Sequence, residues 1–127
     1  MTRFVSLAGV LVLASCSTAT GPYINDPALC QAPAAEQEQG EITLLAPTRI
    51  GNHAMTCRWD DPLGFAPDSR TALRAVCDDG GGVISRDLVI AVDAEGGVQV
   101  LNPDDSPAYA ATFRQCPDGL AGDWSFE

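Results

Sequence analysis

Lysine is absent from this sequence, and histidine occurs once, as His53. Seven arginines face 17 aspartates and glutamates, for a formal net charge of −10 at pH 7. Nucleic-acid binding rewards clustered basic side chains, so no nucleic-acid partner is expected. Adhesion to anionic lipid by charge alone is disfavoured for the same reason. An acidic surface suits a basic protein partner, and it also keeps a domain soluble. Long apolar runs are missing too. The longest, Phe4 to Ala14, covers 11 residues, whereas a membrane-crossing helix needs about 20. No C-x-x-C pair is present, which speaks against structural zinc. There is no G-x-S-x-G, and Gly80-Gly81-Gly82 neither opens a helix nor precedes a lysine, so it is a turn and not a phosphate loop. His53 has no neighbouring nucleophile and orienting carboxylate in the sequence. These absences predict a protein that is not an enzyme and carries no cofactor or metal.

What the chain does have is a marked N-terminus. Arg3 supplies positive charge, and Phe4, Val5, Leu7, Ala8, Val10, Leu11, Val12 and Leu13 form a short apolar core. Such a core ending in small residues is a cleavable export signal. Leu13-Ala14-Ser15-Cys16 then reads aliphatic, small, small, cysteine. This stretch resembles the lipobox of bacterial lipoproteins, which signal peptidase II cuts before the cysteine. The resemblance implies that Cys16 becomes the first residue of the mature chain, carries a diacylglyceryl thioether and is acylated at its new amino terminus. Two or more acyl chains hold a protein stably at a membrane. Ser17 replaces the aspartate that favours inner-membrane retention, so the resemblance implies the outer membrane, with the domain facing the periplasm.

The division expected from this reading is a signal peptide at 1–15, the lipidated cysteine and a flexible tether at 16–40, and a β domain at 41–127. Pro22, Pro27, Pro33 and Glu36-Gln37-Glu38-Gln39 give the tether its composition. Within it, Asp26 to Cys30 suits a single helical turn. Cys30 should strap the later part to the domain. Removing the signal takes away Arg3 and leaves six arginines against 17 acidic residues, a charge of −11.

From residue 41 the chain alternates in the manner of strands. Expected strands are 42–46, 50–59, 70–77, 83–93 and 97–101, then one from Tyr109 to Cys116 and a short closing one at Trp124 and Phe126. Thr71, Leu73, Ala75 and Cys77 share one face, with Arg70 and Arg74 on the other. Asp78 to Gly82 and Ala94 to Gly96 are turns. The fold class is therefore all-β, a small antiparallel sandwich or barrel of six to seven strands. Cys30, Cys57, Cys77 and Cys116 form an even set for two disulfides in an oxidising compartment. In an up-and-down order, Cys57 and Cys116 end strands that run the same way, while Cys77 lies at the opposite end. The expected pairs are Cys57–Cys116 and Cys30–Cys77.

The acidic doublets Asp60-Asp61, Asp78-Asp79 and Asp104-Asp105 lack a calcium-binding spacing and suit turns. One loop, 59–69, holds Trp59, Asp60, Asp61, Leu63 and Phe65 between stiffening prolines. Either its apolar side chains fold back on the core, or Trp59, Asp60, Asp61 and Phe65 form an exposed finger that grips a protein. The function expected is a membrane-anchored, non-enzymatic binding or structural domain with an envelope or basic protein partner. The alternative is an inhibitor of a secreted hydrolase. Size, anchor, cysteines and β pattern are similar to those of periplasmic inhibitors of lysozymes or metalloproteases. Ser106-Pro107-Ala108-Tyr109 lacks the glycine that the lysozyme-inhibitor type carries.

Overall fold

Two ten-residue strands dominate the molecule, and they form where the alternation is cleanest. In the computed structural model residues 22–121 are described. The signal segment, Cys16 and the strand expected at Trp124 and Phe126 lie outside the described residues. The strands are β1 (Tyr23–Ile24), β2 (Leu44–Ala46), β3 (Arg49–Gly51), β4 (Thr56–Arg58), β5 (Ser69–Asp78), β6 (Val83–Val92), β7 (Val98–Leu101) and β8 (Arg114–Gln115). They form one antiparallel sheet in the order β7-β6-β5-β4-β3-β2-β1-β8. Its two edges nearly meet. Val98 on β7 exchanges main-chain hydrogen bonds with Phe113 (2.9 and 2.7 Å), and β8 follows immediately beside β1. The result is an eight-stranded, almost closed barrel. The fold class is all-β as the alternation implied, with one strand more than the upper expectation.

Inward residues fill the barrel. Leu45, Ile50, Cys57, Ala75, Cys77, Leu88, Ile90, Val92, Val98, Val100 and Phe113 are buried in one cluster, with Trp59 at its end. On β5 and β6 the facing pairs Leu73–Leu88, Ala75–Arg86 and Cys77–Ile84 share the inner face, while Arg74 lies opposite Asp87 on the outer face. A second cluster of Ile24, Cys30, Ile42, Leu44 and Cys116 packs beneath Leu29 and Leu120.

The segment 22–40 departs from the flexible tether expected there. β1 pairs with β2 and β8, Pro27–Leu29 is a 3-10 turn, and Ala34–Gln39 is a helix, α1. Asp26 caps the 3-10 turn by accepting from the Ala28 N–H at 3.1 Å, with Pro27 at its first position. This is the turn read from Asp26 to Cys30. Helix α1 is six residues long and contributes one buried residue, Gln37. Its amide donates to the carbonyls of Leu29 (2.9 Å) and Ala121 (3.2 Å), which satisfies a fully buried polar group.

The strand expected from 50 to 59 is a hairpin. β3 and β4 fold back on one another through Asn52, whose Oδ1 accepts from the N–H groups of Ala54 (2.8 Å) and Met55 (3.0 Å). Gly51 is required there, because an added Cβ would stand 2.8 Å from Thr56 Oγ1. This hairpin also overturns the expected disulfides. The bonds are Cys57–Cys77 and Cys30–Cys116, not Cys57–Cys116 and Cys30–Cys77. Because β4 is short, Cys57 faces Cys77 directly across the β4–β5 ladder. Trp59 N–H bonds to Thr48 O on the β3 side, so Cys57 turns its main-chain groups away from β5. It therefore sits at a non-hydrogen-bonded position, where facing side chains are closest. Cys30–Cys116 then joins the two ends of the domain across the second cluster.

Candidate functional site

One end of the barrel is closed by the loop that follows β4. Trp59 is 7% exposed and packs in the main cluster, and its indole Nε1–H donates to Pro47 O at 2.8 Å. Leu63 N–H donates to the same carbonyl at 2.8 Å. Phe65 is half-buried against the ring of Tyr23, with centroids 4.5 Å apart. Burial pushes the Tyr23 phenol above its ordinary pKa. Of the four residues singled out in this loop, Trp59 and Phe65 therefore face inward, and Asp60 and Asp61 are exposed. The loop is the folded-back satellite, not an aromatic finger.

The other end stays open. Between the loops at 41–43, 52–54 and 109–111 lies a cleft of about 480 Å³. Its floor is Ile42, Thr43 and Phe113, all buried. Tyr109 forms a wall, edge-on to Phe113 at 5.9 Å and 81°. Burial raises the Tyr109 phenol pKa, against a smaller opposing effect of the Arg86 charge. The rim carries Glu38, Glu41 and His53, all exposed. Asn25 fixes the rim from behind. Its Oδ1 accepts from Thr43 N–H at 2.9 Å and its Nδ2 donates to Glu41 O at 3.4 Å. Glu41 holds a left-handed φ of 52°, a conformation that costs a non-glycine residue energy and is held here by its surroundings.

Chemically, the cleft offers two carboxylates and an imidazole over an aromatic and aliphatic floor. That combination suits a group with a positive end and an apolar body. No set of three His, Cys, Asp or Glu side chains converges as metal ligands among the described residues. The acidic doublets at 78–79 and 104–105 serve their turns. Asp78 accepts from Gly80 N–H, and Asp79 accepts from Gly81 and Gly82. The Asp104 carboxylate is held below the ordinary range by hydrogen bonds from the Ser106 hydroxyl and N–H. Asp105 pairs with Arg70 on the exposed surface.

Sequence reasoning singled out His53 but missed Glu38, Glu41, Asn25 and Tyr109 as its neighbours. They come from the residue just after β1, the end of α1 and the turn beyond it, and the chain after β7, and no linear motif joins them. The Gly51-Asn52 dipeptide was the one legible signal, since it marks the turn that lifts His53 to the rim. Compared with protein families, curated proteins and solved structures, the chain matches none of them.

Proposed function

We propose that the protein is a bacterial lipoprotein, anchored through Cys16 to the membrane and facing the periplasm, whose barrel binds a partner without catalysing a reaction. Ser17 makes the outer membrane the favoured destination. The observation that carries the reading is the cysteine pairing. Cys30, Cys57, Cys77 and Cys116 pair among themselves, so Cys16, at the lipobox position, is the fifth and odd cysteine. Two disulfides are also what a small exported domain needs. By the chain-entropy relation the 86-residue separation of Cys30–Cys116 contributes about 4.5 kcal/mol, and the 20-residue separation of Cys57–Cys77 about 3 kcal/mol. The open cleft with Glu38, Glu41 and Tyr109 is the surface we assign to binding.

The test is mass spectrometry of the chain expressed in a bacterial host fed an alkynyl fatty acid. The expected product begins at Cys16, carries label there and partitions into detergent. Cys16→Ser should abolish labelling and release the chain from the membrane fraction. A parent chain cut elsewhere, or unlabelled and freely soluble, would overturn the anchor.

A further inference from the structure

β7 pairs with only four of the ten residues of β6. Its ladder covers Val89 to Val92 and stops at Leu101, where the chain leaves into the loop from Asn102. Asp93 N–H donates to Gly97 O at 2.9 Å, toward the β7 side. Residues of the same parity on β6 direct their main-chain groups to that side as well. The N–H and C=O groups of Val83, Ser85 and Asp87 therefore point outward along the unpaired stretch. No described hydrogen bond reaches them from that side.

A second observation falls on the same hairpin. The large apolar side chains that are exposed among the described residues are Val76 (46%), Val83 (64%) and Ile84 (61%). All three stand at the overhanging end of β5 and β6. Val76 and Val83 are diagonal neighbours on the outer face, and Ile84 is on the inner face. Isolated edges of this length are ordinarily blunted or covered. This one has free main-chain groups and apolar side chains on both faces.

We propose that the edge 83–87 takes an extended segment of a partner protein as an added antiparallel strand, and that the segment is basic at one end and apolar at the other. Strand addition gives affinity through the main chain and specificity through alternate side chains. Charge selects the occupant. The chain carries −10 with no lysine, Asp87 lies on the edge, and Asp78 and Asp79 lie at its tip. Arg86 is half-buried and donates to Asn102, and Arg74 is opposite Asp87. A second copy fits poorly. Two-fold pairing centred on residue 86 or 87 opposes like charges, pairing centred on 85 sets Val83 against Asp87, and pairing centred on 84 keeps only Val83 to Ser85 of each strand in register. A foreign strand reading basic-x-x-apolar-apolar places its cation opposite Asp87 and its apolar pair opposite Ile84 and Val83. This surface is separate from the cleft, so the two can fail independently.

The experiment is fluorescence anisotropy of the full-length chain, in mild detergent, with a labelled peptide Thr-Arg-Thr-Thr-Val-Val-Thr. Saturable binding is expected. Ser85→Pro removes an outward N–H without touching the β5 ladder, and it should weaken binding at least about tenfold with the circular dichroism spectrum unchanged. Should that variant fail to fold, a peptide N-methylated at alternate residues gives the same measurement on the parent chain. Absence of binding up to roughly 1 mM, or equal affinity for Ser85→Pro and for the N-methylated peptide, would overturn the proposal. So would a concentration-dependent dimer in sedimentation that Ser85→Pro abolishes, which would make a second copy the occupant.

Discussion

At one end of the barrel the loop from Trp59 to Asp68 lies across the mouth, held by an indole, a phenyl ring and main-chain bonds to Pro47 and Asp93. At the other end the two hairpin turns, after β3 and after β5, hold themselves. Asn52, Asp78 and Asp79 each satisfy the N–H groups of their own turns. Turns completed by their own side chains need no bonds across the mouth, and they leave it open. A loop with unpaired main-chain groups and large apolar side chains has to fold over the core. The contrast explains why the acidic, aromatic loop closes its end while the Asn52 turn stays at the rim of the cleft.

The largest expected effect lies at the closed end. Trp59→Ala removes a buried indole and leaves Pro47 O without its side-chain donor, and it should cost about 3–5 kcal/mol in denaturant unfolding. A loss below about 1 kcal/mol would mean that the loop is not a closure. An intermediate effect separates the ends by pH. The phenols of Tyr23 at the closed end and Tyr109 at the open end have pKa values raised by burial. The unfolded chain then releases its phenolic protons first, at about pH 10. Stability from this source is fully present below about pH 10 and falls as pH rises beyond it. Tyr23→Phe and Tyr109→Phe should each flatten part of that decline in the unfolding midpoint, and an unchanged slope in either variant would remove that end from the account. The smallest effect belongs to the overhang. Ile84→Ser should move unfolding by less than about 0.5 kcal/mol, since the side chain is 61% exposed. A loss comparable with that of Trp59→Ala would show that the overhang belongs to the core.

β5, β6 and β7 were legible because each buries one face over four or more residues, which is enough for a period of two to show. β1, with two residues, and β3 and β4, with three each, are too short to display a period. They exist because neighbours supply their hydrogen bonds. Reading β3 and β4 as one strand reversed the direction assigned to Cys57, and the disulfide expectation failed with it. Helix α1 escaped notice because its single buried side chain, Gln37, is polar. The cleft was least legible of all, as it depends on a barrel closure that brings residues 25, 41, 53 and 109 together. The aromatic loop could be located in the sequence, but its direction could not. Trp59 faces inward because Pro47 O is placed to receive its indole.

Consider a pull applied to the chain from its N-terminal side, the direction in which a membrane anchor would act. The force reaches β1 first, and β1 is held by only two residue pairs to β2 and two to β8. If those part, residues 22–29 can straighten by at most about 27 Å. Cys30 then transfers the load covalently to Cys116, beside the last strand. β1 would then have left its place between β2 and β8, while the ladders from β2 to β7 feel the tug from both sides of that bond at once.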